Sequence, residues 1–372
     1  MTRQLFNDEA LHRDDRRIQR VRRGLIACLV AIALTGCLPA PAPARAADQS
    51  IVELPVSFQV RNTNTSADPC FSDGAEYTVK GHITAPQGAL ATGRAPAITV
   101  YLYGYEGGEW NWHLKGVPGY DHAAEMAKLG HVSLTVDELG YGASGRPKDG
   151  NLTCQGAEAD VVHQIVQQLR SGKYALGTGG GIQFEKVILA GHDVGGQVAN
   201  IEAYSYFDVD GLVIVTFADQ GFTPWIIERA TVAANDWCTT SSTGYVHYVS
   251  AEEWRTLLFY DANPNVADAT EALRNENPCG IIRSTPQAVP IDLAHDGQIK
   301  VPVLVVFGDK DTLVWTREGQ EQQQDNYGST DKSTVFIPNA GHFIMFEKTS
   351  PLFRSAVSNW LSSRFPSSST AG

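Results

Sequence analysis

From about residue 97 onward, short apolar runs alternate with longer stretches of helical character. The runs Ile98–Tyr103, Val132–Val136, Val187–Ala190, Leu212–Thr216, Val303–Phe307 and Thr334–Ile337 are rich in Val, Ile and Leu and lack strict apolar–polar alternation. That pattern predicts strands covered on both faces. Between them, His122–Leu129, Ala157–Leu169, Val198–Tyr206, Arg317–Gln324 and Leu352–Leu361 read as helices. Strand–helix alternation implies an α/β architecture with a doubly wound, mostly parallel sheet. Ahead of it, Ile51–Val60 and Ala75–Ala85 read as an antiparallel hairpin.

One interval breaks the rhythm. Residues 220–298 separate two strands that a simple crossover joins in far fewer residues. The interval holds Trp225, Trp237, Tyr245, Tyr248, Trp254, Phe259 and Tyr260, and it contains Cys238 and Cys279. It reads as a helical cap inserted over the carboxyl edge of the sheet. The core then comprises residues 47–219 and 299–365, and the small polar residues 366–372 read as a disordered tail.

The N-terminal 46 residues read as an export signal. A basic region ending in Arg22-Arg23 precedes an apolar run, Gly24–Thr35, that is short for a membrane span. Leu34-Thr35-Gly36-Cys37 resembles a lipobox, which would leave a lipid anchor on Cys37. Ala44-Arg45-Ala46 fits a cleavage site before Ala47 that would free a soluble protein. Arg22-Arg23-Gly24-Leu25-Ile26 also loosely fits a twin-arginine signal. All three readings place the protein outside the cytoplasm, and the lipid is its single expected route to a membrane. In an exported chain the even set Cys70, Cys154, Cys238 and Cys279 reads as two disulfides. Three pairings are possible; Cys70–Cys154 with Cys238–Cys279 is preferred because the latter two fall in one insertion.

The leader carries eight Lys or Arg and four Asp or Glu, so the net charge of −12 for the whole chain becomes −16 beyond it. An acidic surface argues against a nucleic-acid partner. There is no C-x-x-C, and His113, His122, His131 and His163 lack metal-ligand spacing. With no Gly-rich phosphate loop opening a first βαβ unit, neither metal nor cofactor is expected.

The chemistry concentrates at Gly191-His192-Asp193-Val194-Gly195-Gly196, which follows an apolar run and precedes a helical stretch. That is the strand–turn–helix context of a nucleophile elbow, with Asp193 where Ser is usual. Asp311, in Gly308-Asp309-Lys310-Asp311, and His342, in Asn339-Ala340-Gly341-His342, follow in order. Asp137-Glu138-Leu139-Gly140-Tyr141-Gly142-Ala143-Ser144 and Tyr103-Gly104-Tyr105-Glu106 occupy the expected loops. Together these residues resemble the α/β-hydrolases over residues ~75–365, in which nucleophile, acid and histidine occur in this order. The elbow G-H-D-x-G-G resembles that of the epoxide hydrolases and haloalkane dehalogenases.

The resemblance implies an α/β-hydrolase fold and an Asp193–His342–Asp311 triad acting on a small, mainly apolar substrate. The Asp193 carboxylate attacks a saturated carbon and forms an alkyl ester, which a water activated by His342 then hydrolyses. Backbone N–H groups of Val194 and Tyr105 form the oxyanion hole. Tyr245, Tyr248 and Tyr260 are candidate acids for protonating the leaving alkoxide of an epoxide. Dehalogenases hold their halide with an indole after the nucleophile, where this chain has Val194, so epoxide hydrolysis is the preferred reading. Dehalogenation and a non-catalytic, repurposed hydrolase-fold binding protein are the alternatives. Asp309 and Asp219 are rivals of Asp311 for the acid, and His192 reads as structural.

Overall fold

The computed structural model describes residues 50–177 and 179–366. The leader, with Cys37 and the boundary before Ala47, and all of the tail except Pro366 lie outside these residues. Eight strands build the sheet: β1 (Ile51–Arg61), β2 (Glu76–Pro86), β3 (Arg94–Leu102), β4 (Ser133–Asp137), β5 (Gln183–His192), β6 (Gly211–Val215), β7 (Val303–Gly308) and β8 (Lys332–Ile337). Their spatial order is β8-β7-β6-β5-β3-β4-β2-β1, and two short strands, Ala175–Leu176 and Gly179–Gly180, continue beyond β1. From β4 to β8 every pairing is parallel, whereas β2 runs antiparallel to both β4 and β1.

The apolar runs are unbroken because each parallel strand feeds two cores. On β5, Val187 and Leu189 enter one apolar cluster while Ile188 and Ala190 enter the other. On β7, Val303, Val305 and Phe307 face the first, and Leu304 and Val306 the second. The first cluster is closed by α2 (Gln155–Ser171) and α3 (Val194–Tyr206), the second by α1 (His122–Lys128) and the C-terminal helix Ser350–Arg364. Asp121 caps α1, its carboxylate accepting the Ala124 N–H.

The interval between β6 and β7 folds into α4 (Pro224–Val232), α5 (Ala251–Leu257), α6 (Pro264–Glu271) and α7 (Cys279–His295). Thr223 caps α4 with Pro224 in its first turn, and Ser250 with Glu253 forms a capping box on α5. The segment is not purely helical: Tyr245–Val246 and Asn277–Pro278 pair as a two-stranded antiparallel ribbon. Four residues are too few to give a period-two signal in the sequence. After β7 come α8 (Arg317–Asn326), β8 and α9 (Ser350–Arg364). Among the described residues no helix is long and apolar enough to cross a membrane.

Cys70 pairs with Cys154, and Cys238 with Cys279, at Cα separations of 6.2 and 5.5 Å. The first bond ties the loop after β1 to the start of α2. The second joins the short helix after α4 to the first turn of α7, 41 residues on. Loop closure of that length is worth about 4 kcal/mol in the chain-entropy account. Replacing Cys238 and Cys279 by Ser is therefore expected to lower the unfolding free energy by that order, read from urea midpoints. An unchanged midpoint would show that the inserted segment does not depend on this bond.

Candidate active site

The turn between β5 and α3 presents Asp193. Its backbone lies at φ +52°, ψ −130°, a strained conformation for a residue with a side chain. The strain is held by the Asp193 N–H donating to Val215 O (2.9 Å) and the Gly196 N–H donating to Asp193 O (2.8 Å). Glycine is required beside it: a Cβ on Gly195 would lie 2.7 Å from Tyr103 N and O.

The loop after β3 crosses the elbow. Gly104 passes so close to the Asp193 carboxylate that any Cβ there would overlap it. The Tyr105 N–H then donates to Asp193 Oδ2 at 3.3 Å. Burial pushes the Asp193 carboxyl up from its ordinary range. The charge of His342 and the N–H groups of Val194 and Tyr105 oppose that rise.

His342 sits in the loop after β8, with Nε2 3.8 Å from Asp193 Oδ1. Its Nδ1–H donates to Asp311 Oδ2 at 3.0 Å. Burial lowers the imidazole pKa, but Asp311 and Asp193 outweigh it, and the net displacement is upward. Two further residues shape this loop. His192 donates from Nε2 to the His342 carbonyl (3.0 Å), and Glu347 accepts the Gly341 N–H (2.9 Å). His192 itself is driven well down, first by burial and then by His342, so it stays neutral.

The rival acids lie elsewhere. Asp309 points to Lys310. Asp219 is buried with Gln323, and it interacts with Asp292 and Asp296. Burial is the first cause of the raised pKa of all three, and repulsion by Asp219 adds to it for Asp292 and Asp296.

Between the elbow and the inserted segment lies a cavity of about 630 Å³. Its wall is mainly apolar, with Phe217, Trp225, Ile226 and Trp315 among the lining residues, and Asp193, His342, Tyr105, Tyr248, Glu106 and Arg283 are among the polar ones. Of the three tyrosines expected as acids, Tyr248 alone lines it. Tyr245 turns away to donate to Pro147 O (2.9 Å) under the Arg146 guanidinium. Tyr260 is exposed; its backbone N–H, rather than its phenol, is engaged, by Glu347. Tyr105 and Tyr248 stack with centroids 4.4 Å apart. The Tyr105 hydroxyl donates to Thr285 Oγ1 (2.7 Å), whereas among the described residues the Tyr248 hydroxyl makes no hydrogen bond. Burial and the charge of Asp193 raise the Tyr248 phenol, so it remains a proton donor.

Sequence reasoning missed the role of Glu106. It stands at φ +62° and is fully buried. Oε1 accepts the N–H groups of Tyr248 and Val249, and Oε2 pairs with Arg274. Its own N–H donates to Asn277 Oδ1, its carbonyl accepts the Asn275 N–H, and the Asn275 side chain donates to Gly107 O. The loop after β3 is thus stitched to the inserted segment. The one signal in the chain is a carboxylate beside Tyr105, with no spacing rule to decode it.

The sequence profile described as the alpha/beta hydrolase family matches residues 104–353, and the chain belongs to that family. No curated protein matches its sequence. Among solved structures, it is similar to a thermophilic esterase from Thermogutta terrifontis, at 19% identity and a TM-score of 0.60 over 83% of this chain and 99% of the other. A monoacylglycerol lipase from Paleococcus ferrophilus gives 18% and 0.55 over 72% and 94%. A bromoperoxidase from Bacillus anthracis gives 14% and 0.57 over 82% and 99%. At these identities the likeness is one of fold.

Removing one member of a buried ion pair strands the other. Glu106→Ala is therefore expected to cost about 3–5 kcal/mol in urea unfolding. A loss below 1 kcal/mol, on the scale of an exposed pair, would mean that the clamp is not a structural element.

Proposed function

We propose that the protein is an exported epoxide hydrolase working through an alkyl ester on Asp193. The observation that carries the reading is the division of labour between the two carboxylate oxygens. Oδ2 accepts the Tyr105 N–H, while Oδ1 is turned toward His342. Ester hydrolysis, which the names of the esterase and lipase neighbours suggest, needs an attacking hydroxyl, and the elbow carries a carboxylate instead.

In the first half-reaction Oδ1 attacks a ring carbon. The C–O bond of the ring breaks, its electron pair goes to the ring oxygen, and the Tyr248 phenol supplies the proton. In the second, His342 takes a proton from water, and the hydroxide attacks Asp193 Cγ. Charge develops on Oδ2 beneath the N–H groups of Tyr105 and Val194. Collapse breaks the Cγ–Oδ1 bond, His342 returns its proton to the departing Oδ1, and the diol leaves with that oxygen. The carboxylic acid left on Cγ, which now holds a water oxygen, gives its proton back to the Tyr248 phenolate and so regenerates Asp193. Asp311 holds the His342 tautomer with Nε2 free as base. The mainly apolar wall favours an apolar substrate. Residues 47–219 and 299–365 then act as the core, with 220–298 as the cap. The leader and the two disulfides support export, with or without a lipid on Cys37.

A second reading, displacement of halide from an alkyl halide, is favoured by Trp315, which lines the cavity and whose indole N–H is buried without a partner among the described residues. It leaves Tyr248 without a task. A panel of styrene-type epoxides and bromoalkanes, read for diol and for bromide, separates the two.

His342→Gln should accumulate protein plus one substrate by intact mass, and Asp193→Asn should not. A single turnover with excess enzyme in ¹⁸O-water should release mostly unlabelled diol and place label in the peptide containing Asp193. Fully labelled diol would sink the ester mechanism. Neither product from the panel, with no adduct, would favour a binding protein.

The tyrosines divide the next test. Tyr248→Phe should lose about 10²–10⁴-fold in alkylation rate, the range for general acid catalysis. Tyr105→Phe should stay within several-fold, because that phenol is committed to Thr285. The reverse order would exchange their roles.

The ester also changes His342. Alkylation removes a negative charge 3.8 Å from Nε2, one of the influences holding the imidazole pKa up. The base is the neutral form, so the rate of ester hydrolysis should rise with pH and then level off. The midpoint of that rise should lie below the midpoint of the His342 ring-proton NMR titration in resting enzyme. A hydrolysis midpoint at or above it would contradict the coupling.

A further inference from the structure

We infer that His82, Glu109 and His113 form a binding site for a zinc-class divalent cation, separate from the catalytic cavity. His82 lies on β2; Glu109 and His113 lie in the loop between β3 and α1. None of the three lines the cavity. One ligand atom from each falls within 4.8 Å of the other two. His82 Nδ1 is 2.8 Å from Glu109 Oε1, and the His82 and His113 rings lie 5.6 Å apart. Two imidazoles and a carboxylate are a donor set that suits zinc, with an open position for water. The histidines are 31 positions apart in sequence, so no spacing motif betrays them.

The orientation of His113 is the second observation. The ring is buried, 5% exposed. Its Nδ1 is 3.1 Å from Asp121 Oδ1 and must donate, because a carboxylate can only accept. In the neutral ring that leaves a lone pair on Nε2, a nitrogen buried without a hydrogen-bond partner among the described residues. The nearest acidic oxygen, Glu53 Oε2, is 3.4 Å away. Two acceptors facing each other across that gap call for a cation, either a proton on Nε2 or a metal ion. A carboxylate fixing the far nitrogen of a metal-ligating histidine is a recurrent outer-shell arrangement. Glu109 is oriented likewise, its Oε1 also accepting the Thr135 hydroxyl (2.8 Å). Lys115 pairs with Glu53 and is more than half exposed, so it can swing away if Glu53 becomes a further ligand.

Such an ion would tie the β1–β2 hairpin to the loop that starts with the oxyanion residue Tyr105. The test uses the full mature protein, free of any histidine tag, with zinc and cobalt as probes. Calorimetry should find one equivalent of Zn²⁺ bound at micromolar or tighter Kd, and Co²⁺ should give the intense visible bands of a tetrahedral site. At a hundredfold excess over Kd the thermal midpoint should rise by about 3 °C or more. His82→Ala and His113→Ala should each weaken binding beyond measurement. Asp121→Asn, which keeps a good cap for α1, should weaken it about 10–100-fold. If His113→Ala fails to fold, His82→Asn, at a half-buried strand position, carries the same test. Absence of saturable binding would overturn the inference and assign the cation to a proton. So would one-equivalent binding that survives loss of both histidines, which would move the site elsewhere, for instance to His163, Glu202 and Asp208.

Discussion

A carboxylate buried at a strained bend is the constraint around which this protein is arranged. Asp193 needs a positive backbone φ, which only a tightly bonded strand–helix turn can enforce. Its charge costs free energy on burial and must be met by donors. The β3 loop therefore has to run directly over it, with no side chain at Gly104 and with its next N–H aimed downward. The same charge, with that of Asp311, sets the electrostatic state of His342. Loop, elbow and histidine are thus parts of one solution to one burial problem.

The β8 loop obeys a similar economy. His342 is useful only if its ring is fixed from both sides, by Asp311 at Nδ1 and by neighbours that hold its backbone. Those neighbours, His192 and Glu347, are themselves buried polar groups bonded to main-chain partners, His192 through Nε2 and Glu347 through its carboxylate. Glu347 also accepts the N–H groups of Tyr260 and Asp261, so the loop that carries His342 and the inserted segment share one carboxylate.

How much of this the sequence disclosed follows from the range of each signal. Strands such as Val187–Ala190 and Val303–Phe307 were legible because burial on both faces writes itself as an unbroken apolar run. The elbow and the order of Asp193, Asp311 and His342 were legible because strained turns demand glycines at fixed offsets. The sequence favoured Asp311 as the acid but kept Asp219 and Asp309 as rivals, because all three follow a strand and only packing directs Asp219 toward Asp292 and Gln323. The three cap tyrosines looked equivalent for the same reason, since nothing local says that Tyr245 will find Pro147 or that Tyr260 will face water. Glu106 was opaque because its partners, Tyr248, Arg274 and Asn277, are more than 140 positions away.

The stitching of residues 104–107 to 275–277 bears on traffic. In many enzymes a covering segment swings open about a hinge, and that motion admits the substrate. Here one main-chain bond and two asparagine side chains join the covering segment to the loop that passes over Asp193, so the two cannot part without breaking those bonds. With those bonds kept, a molecule that reaches the cavity passes between side chains of a wall that stays in place. Such a wall selects by girth before any contact with Asp193 is made. A compound too broad for the passage is then a non-substrate by slow arrival, however well it would fit once inside.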